Sequence, residues 1–288
     1  MDDGKRLTIV IWSEAEPREL VPSRAMSILP AMDVDTPPPS VRALLGQTAH
    51  RPAPLPSGSW VMYQRWHQLL FAHWQVPVAD LRRHLPLGLE LDLFDGRAWL
   101  GVVPFRMSGV RLRGMPPLPG LSAFLELNVR TYVRCGEQRG VWFVSLDAAN
   151  RPAVRAARRW FNLPYFEAEM ELVERGGEIA YSSRRTHRVA PPAEFRARYG
   201  PVGPVQRAGA GTLEEFLTER YCLFAQGPRG LLCGEIHHHP WPLQPARADI
   251  AANTMAQASG LRLEGPPLAL HFARRLDVLI WPPRRLAP

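Results

Sequence analysis

The chain has 288 residues, 46% of them hydrophobic and 22% charged, so it is long enough for one large domain or two small ones with a sizeable core. The formal net charge of +8 comes from arginines spread along the whole length, because Lys5 is the only lysine. Diffuse positive charge supports only non-specific attraction to polyanions. We therefore expect no specific nucleic-acid binding.

The cysteines and the apolar runs indicate the compartment. Cys135, Cys222 and Cys233 contain no CxxC pair and are odd in number, which argues against a disulfide framework and favours a reducing cytoplasm. The apolar run at residues 7–12 is too short for a signal-peptide core, and no other run approaches the ~20 residues of a membrane helix. The sequence predicts a cytoplasmic protein without a membrane partner.

Residues 1–58 are rich in proline and have no sustained periodicity, so we expect a mostly disordered extension. A single domain is predicted from residue 59 to residue 288. Its first elements are a strand at 69–76, a short helix at 79–85 and a hairpin of 89–94 with 97–105, turned by Asp95-Gly96. The Pro/Gly loop at 106–122 is longer than a connector needs to be and is expected to border a site.

A second hairpin is central to the domain. Residues 124–133 alternate strictly between apolar and polar side chains, as a period of two requires of a strand, and residues 141–147 are their expected antiparallel partner. Matching the two faces would place Arg130 near Ser145 and Asn128 near Asp147. One side of this hairpin then carries Glu126, Asn128, Arg130, Tyr132, Ser145 and Asp147.

The second half of the chain continues with short elements. Helices are predicted at 153–161, from 213 after the capping-box residue Thr212, and at 246–258 before Gly260. Strands are predicted at 166–174, 178–187, 221–225, 231–238, 268–273 and 276–281, with a loop at 191–204. Many short strands, few helices and no βαβ alternation predict a mainly antiparallel α+β fold, a curled sheet or barrel.

Several motifs carry a family resemblance. They are Phe71-Ala-His-Trp, Trp99-Leu-Gly-Val-Val-Pro-Phe, Glu126-Leu-Asn-Val-Arg-Thr-Tyr-Val, Ser145-Leu-Asp-Ala, Leu163-Pro-Tyr-Phe, Phe216-Leu-Thr-Glu-Arg-Tyr and Pro240-Trp-Pro-Leu. In this order they resemble the YqjF-like family of uncharacterised proteins, in the acetoacetate-decarboxylase-like superfamily. The resemblance implies a cone-shaped, mainly antiparallel β-barrel with peripheral helices and a polar pocket, but no particular reaction.

The decarboxylases of that superfamily form a Schiff base through a lysine preceded by an Arg-Glu pair. Matching their motif to residues 158–165 places Arg158 at the family arginine and Tyr165 at the lysine. A phenol cannot form an iminium with a ketone, since that chemistry needs an amine. The resemblance therefore implies the fold, while the lysine deficit excludes Schiff-base decarboxylation. Glu126 is similar in position to an acidic pocket residue of the decarboxylases.

Two interpretations of these residues stay open. Glu126 with Arg130 could grip the two ends of a small ligand, or the polar face could simply meet water, with Arg130 and Asp147 as a surface ion pair. Tyr165 could donate a hydrogen bond in the pocket, or share the solvent side of Glu167 and its alternating neighbours. Arg158 could bind an anion or lie on an external helix.

The histidines need separate treatment. In a strand, His237 and His239 point one way and His238 the other, so the run offers two convergent ligands at most, fewer than zinc requires. We predict no metal and no cofactor. His73 or His238 as a single pocket histidine is the better interpretation.

The sequence thus favours binding of a small anionic carbonyl or carboxylate compound, with lysine-free, lyase-like acid–base chemistry at Glu126 and Tyr165. The predicted substrate contacts are Arg130, Arg158, Asn128, Asp147, His73 and His238. The alternative is a domain of the same fold that binds or senses a small molecule without catalysis. Self-association into a homo-oligomer is also expected.

Overall fold

A computed structural model describes residues 40–286, apart from the side chains of Ala156, Trp160 and Phe161. Residues 1–39 of the predicted extension lie outside the described residues. From Val41 onward the chain is packed: Leu44 is buried in a cluster with Tyr63 and Trp281. Packed structure therefore begins earlier than the predicted domain start at residue 59.

The helices of the described part are α1 (Val41–Leu45), α2 (Val78–Arg82), α3 (Arg151–Phe161) and α4 (Leu213–Thr218), with a 3-10 turn at Gln257–Ser259. The strands are β1 (Met62–Val76), β2 (Glu90–Leu91), β3 (Ala98–Leu112), β4 (Phe124–Cys135), β5 (Gln138–Ala148), β6 (Tyr165–Arg175), β7 (Glu178–Arg185), β8 (Glu194–Pro201), β9 (Cys222–Gly227), β10 (Gly230–His237), β11 (Leu243–Asn253), β12 (Ala269–Ile280) and β13 (Arg284–Arg285). None of these helices is long and apolar enough to cross a membrane.

The strands join into one sheet that closes on itself. Antiparallel pairs run in the order β6, β7, β8, β11, β12, β1, β3, β4 and β5, and β5 then pairs with β6 in parallel. A second, smaller ring closes from β5 through β9 and β10 to β12. The prediction of a mainly antiparallel fold with few helices is confirmed. The five strands common to both rings, β12, β1, β3, β4 and β5, are called the shared wall below.

The parallel contact between β5 and β6 was not expected. Helix α3 connects these strands, and a crossover of this length is what parallel neighbours need. The helix itself is confirmed: Asn150 caps its first turn and Asn162 ends it in the left-handed conformation, with φ at +52°. Helix α4 likewise begins after the Thr212 cap, as predicted.

The two faces of the shared wall differ. Alternate residues of each strand, among them Leu70, Val102 and Leu127, point into a hydrocarbon core. The larger ring completes this core with Ile179, Tyr181, Phe195 and Tyr199. We call this side the core face, and the opposite side, with Phe105, Met107 and Phe124, the cavity face.

Two local predictions were wrong in the same region. The expected helix at 246–258 is mostly strand β11, and the expected loop at 191–204 contains its antiparallel partner β8. Ala246, Ala248 and Ile250 alternate inward against the core, so their period of two fits a strand. Pairing with β8 overrides the helix propensity of the alanines.

The Asp95-Gly96 turn is confirmed, with φ at +49° and +72° and a bridge between Phe94 and Arg97. Apart from the bridge at Phe94, only Glu90 and Leu91 of the predicted preceding strand are paired, and they pair with β4 rather than β3. The loop predicted from residue 106 begins only after β3 ends at Leu112.

Candidate functional site

The cavity face encloses a space of about 440 Å³. Its walls come from the shared wall, from β9 and β10, from α3 and from the loop at residues 113–123. The loop therefore borders the cavity, as its length predicted. Of the predicted site residues, four line the cavity: Glu126, Arg130, Tyr165 and His238.

The strand geometry explains why Glu126 and Arg130 share this space. Both have the parity of Phe124 along β4 and are almost fully buried. The predicted register of the hairpin was wrong by one residue, because Asn128 pairs with Leu146 and Leu127 pairs with Asp147. A β-bulge then shifts the register between Val129 and Arg130, so that Arg130 lies opposite Phe143.

Glu126 and Tyr165 form a buried pair. The Tyr165 hydroxyl donates to Oε2 of Glu126 over 2.7 Å, and the Tyr181 hydroxyl donates to the main-chain carbonyl of Glu126 over 2.8 Å. Burial raises the pKa of Glu126 to about 8, although the hydrogen bond from Tyr165 opposes the rise. The same burial, with the nearby Glu126, raises the pKa of Tyr165 well above its usual value. Both groups are therefore mainly protonated at neutral pH.

Arg130 brings a positive charge that no carboxylate compensates within the described residues. Its guanidinium donates to the carbonyl of Leu217 over 3.1 Å and lies over the rings of Phe71 and Tyr132. Nε of Arg130 has no hydrogen-bond partner in the described part of the chain. A buried guanidinium with a spare donor has the charge and the hydrogen-bonding capacity to bind an anion.

Arg220 is a second cation of the cavity, and the sequence reading missed it. Its Nη1 is held by Asp92 over 2.6 Å and its Nε by the carbonyl of Phe216 over 2.7 Å, while Nη2 finds no partner among residues 40–286. The guanidinium carbons of Arg220 and Arg130 lie 5.1 Å and 5.8 Å from the centre of the same Tyr132 ring. A sequence signal for Arg220 was present, because this residue lies in the family motif Phe216-Leu-Thr-Glu-Arg-Tyr, directly after helix α4.

His238 and Trp241 add further polar atoms to the lining. Nδ1 of His238 lies 2.7 Å from the carbonyl oxygen of His239, which can only accept, so Nδ1 carries the proton. Burial lowers the pKa of His238 to about 3, and Nε2 of this neutral ring is left as a free acceptor among the described residues. Trp241 also lines the cavity, and its buried Nε1 donor has no hydrogen-bond partner among the described residues.

Two predicted substrate contacts on the central hairpin lie elsewhere. Asp147 faces the other side of the wall, because of the shifted register, and forms a two-pronged ion pair with Arg185 at 2.6 and 2.8 Å. The pair is buried, which makes it structural. Asn128 is buried on the side of Glu126 but does not line the cavity.

The remaining two predicted contacts are also outside the lining. His73 is fully buried behind Arg130, where Nε2 meets the Tyr132 hydroxyl at 2.7 Å, and burial keeps its pKa well below the usual value. Arg158 lies on the exposed side of α3 and donates to the main-chain carbonyl of Tyr165 over 2.7 Å. It thus supports the backbone at Tyr165 from outside.

The histidine run does not converge on one point. Nε2 of His237 lies 2.8 Å from the carbonyl of Leu44, whereas His238 lines the cavity. Within residues 40–286 no group of three or more His, Cys, Asp or Glu side chains is arranged to hold a metal ion.

The arrangement combines two kinds of chemistry. Arg130 and Arg220 offer unpaired guanidinium donors to an anion, and Glu126 with Tyr165 can give or take a proton beside it. Among the described residues that line the cavity there is no lysine that could form an iminium, and Lys5 is the only lysine of the chain. The site fits acid–base work on an anionic compound.

Comparison with solved structures shows the fold. Acetoacetate decarboxylase from Legionella pneumophila is similar with a TM-score of 0.56 and 13% identity, over 83% of this chain and 93% of that one. The enduracididine biosynthesis enzyme MppR, complexed with pyruvate, gives a TM-score of 0.53 and 11% identity over 80% of this chain and 92% of its own. The acetoacetate-decarboxylase-like fold expected from the motifs is therefore confirmed.

Sequence comparison shows the family. The chain is 45% identical over 232 residues to the protein YqjF of Bacillus subtilis (strain 168), which covers 80% of this chain and 95% of YqjF. The resemblance to YqjF drawn from the motifs is confirmed. The model of the DUF2071 family matches residues 63–277, from the start of β1 to near the end of β12. The chain belongs to DUF2071, a family of uncharacterized conserved proteins.

Proposed function

We propose that the protein binds a small anionic carbonyl or carboxylate compound in the cavity and carries out lysine-free acid–base chemistry on it. One observation carries the proposal: the buried Glu126–Tyr165 pair shares a cavity with two arginines that each retain an unpaired donor. The complex of MppR with pyruvate, an anionic carbonyl compound, supports the ligand class through the shared fold. In the same proposal the two closed rings form the cone-shaped barrel that the resemblance implies.

In this proposal the arginines bind the ligand, and Glu126 and Tyr165 transfer protons. The carboxylate of the ligand binds to Arg130 and Arg220. Within the described residues Arg130 has no carboxylate partner, and Arg220 is paired with Asp92 alone. Its carbonyl group lies beside Glu126 and Tyr165. With a pKa of about 8, roughly one Glu126 in ten is ionised at pH 7 and can act as a base, while the rest can act as an acid.

Enolisation is the simplest reaction for this set. Ionised Glu126 removes a proton from the carbon next to the carbonyl group. The electron pair of that C–H bond forms a C=C bond to the carbonyl carbon, and the π electrons of the C=O bond move to the oxygen. The Tyr165 hydroxyl and the arginines stabilise the oxyanion, and return of a proton from Glu126 to carbon restores the ketone. In heavy water the proton that returns is a deuteron, which makes the step measurable.

Deuterium exchange tests the proposal. Pyruvate and 2-oxooctanoate serve as probes in heavy water, and proton NMR follows the loss of the signal at the carbon next to the carbonyl group. The wild type is expected to accelerate exchange of at least one probe, and Glu126→Gln to lower the rate about 10²- to 10⁴-fold with little change in Kd. Glu169→Gln, which changes an exposed carboxylate on β6, is the matched control and is expected to behave like the wild type.

The second candidate function is ligand binding without catalysis. It is favoured by the pKa of Glu126, which leaves most of the carboxyl protonated at neutral pH and hydrogen-bonded to Tyr165. Binding of a probe without exchange above the buffer rate would establish this second function and overturn the catalytic proposal. Absence of binding by both probes would overturn both. Cytoplasmic location, self-association and the lack of specific nucleic-acid binding stay predictions of the sequence.

A further inference from the structure

We infer that the natural ligand is an amphipathic acid, in which the anionic head is carried on an apolar tail of about six to ten carbons. This inference deepens the proposed function and rests on it for the position of the head. The tail would occupy the part of the cavity between Glu126 and the loop at residues 113–123.

The volume is the first argument. A space of 440 Å³ accommodates roughly fifteen water-sized groups at ~30 Å³ each. Pyruvate has fewer than half as many non-hydrogen atoms, so a ligand of that size would leave most of the cavity empty. The space matches a ligand with an additional tail of the stated length.

The lining beyond Glu126 is the second argument. Along β4 the polar positions come in the order Arg130 and Glu126, and Phe124 follows at about 7 Å from Glu126 by strand geometry. Phe124 pairs with Met107 of β3, and Met107 pairs with Trp66 of β1. All three side chains line the cavity. From Arg130 and Glu126 toward the loop, the lining therefore becomes mainly apolar, and Gln64, Arg111 and Ser122 are the polar residues in that part.

The loop itself is the third argument. Met115, Leu118 and Leu121 line the cavity and yet are 53%, 49% and 40% exposed. Large apolar side chains held at the rim of an apolar cavity continue its surface out to solvent, and such exposed patches mark ligand-binding grooves. A tail bound between these side chains would shield them from water, and this burial would contribute to ligand binding.

Chain-length dependence of binding tests the inference. Isothermal titration calorimetry with straight-chain 2-oxo acids from pyruvate to 2-oxodecanoate measures the head and tail together, and the matching 1-alkanols measure the tail alone. The Kd of the acids is expected to fall about fourfold per added methylene until the cavity is filled. Each alkanol is expected to bind at least about tenfold more weakly than the acid of equal length.

Loop variants locate the tail. Leu118→Asp is expected to weaken binding of 2-oxooctanoate about tenfold or more and to leave pyruvate nearly unchanged. Leu87→Asp is the matched control, since Leu87 is 90% exposed and does not line the cavity, and it is expected to bind the whole series like the wild type. Both sites are on the surface, so neither change threatens the core.

The outcomes separate the two proposals. Acids that bind with a Kd independent of length would overturn the tail and leave the proposed function intact. Alkanols that bind as tightly as the acids would retain the tail and overturn the anionic head. A length dependence unaffected by Leu118→Asp, or no binding by any member of either series, would overturn the inference.

Discussion

The two faces of the shared wall use the same strands in opposite ways. On the core face Leu70, Val102 and Leu127 pack into continuous hydrocarbon. The charge buried on that side is matched, because Asp147 meets Arg185 with two hydrogen bonds. On the cavity face Arg130 has no carboxylate partner within the described residues, and Glu126 is kept largely protonated by burial. The difference separates buried charges that are paired within the fold from a buried charge without a carboxylate partner, which we propose binds the ligand.

This comparison predicts where mutations destabilise. A buried ion pair is costly to break, since the remaining partner is left as an uncompensated charge. A buried charge that is already uncompensated has the opposite property, because its removal relieves the folded state of a desolvated group. Removing one partner of a buried ion pair should therefore lower the free energy of unfolding, and removing the uncompensated charge of the cavity face should leave it unchanged or raise it.

The largest effect is expected at the core-face ion pair. Asp147→Asn leaves Arg185 charged and buried, and should lower the free energy of unfolding by about 3–5 kcal/mol. Glu169→Gln breaks an exposed pair with Arg184, which is also a pair of a carboxylate with an arginine. It should lower the free energy of unfolding by less than ~1 kcal/mol. Urea unfolding followed by circular dichroism measures both. Equal stability of the two variants would contradict the structural role of Asp147.

The next effect depends on pH. Folding raises the pKa of Glu126 from its ordinary value of 4.5 to about 8, so between these values the folded state binds more protons than the unfolded state. The wild type should therefore lose stability as pH rises through this interval, by at most about 1.4 kcal/mol per pH unit. Glu126→Gln removes the loss and should be about 3 kcal/mol more stable than the wild type at pH 7.

Urea unfolding of the wild type and Glu126→Gln between pH 4 and pH 9 checks this prediction. The difference should grow with pH and level off above pH 8. Glu169→Gln provides the control for loss of a carboxylate at the surface. A stability difference that does not change with pH would show that Glu126 titrates alike in the folded and unfolded states.

The smallest effect on stability is expected at Arg130. Arg130→Met should change the free energy of unfolding by less than ~1 kcal/mol or raise it, because Leu217 keeps the hydrogen bond from Tyr132. It should also weaken 2-oxooctanoate binding at least about tenfold. Arg220→Met is the contrasting variant: it strands the buried carboxylate of Asp92 and should cost about 3 kcal/mol or more. Similar losses for both arginines would contradict the distinction between a buried charge with a carboxylate partner and one without.

Local chemistry explains which parts of the site were predictable. The alternation in β4 places Glu126 and Arg130 on one side whatever the partner strand does, since successive side chains of a strand point in opposite directions. The pairing of β5 depends on a bulge near Val144 that has no strong sequence signal, and the predicted neighbourhood of Asp147 failed for that reason. Tyr165 lines the cavity, whereas its sequence position had left both the pocket and the solvent side open.

Arg220 shows the limit of local reasoning. It is distant in sequence from Glu126 and becomes part of the site only because the smaller ring folds β9 and β10 against the shared wall. The strand β11 is a similar case: its alanines favour a helix by local propensity, and pairing with β8 makes the segment a strand. In both places the deciding contacts are long-range.

By itself, the sequence determined the mainly antiparallel fold, the Asp95-Gly96 turn, the helix α3, the Thr212 cap of α4 and the lack of a lysine other than Lys5 for Schiff-base chemistry. These follow from periodicity, turn geometry and residue chemistry, which act over a few residues. Only the tertiary structure decided which face of the shared wall is filled with hydrocarbon and which encloses a cavity, because both faces are buried and their volumes depend on how the two rings close.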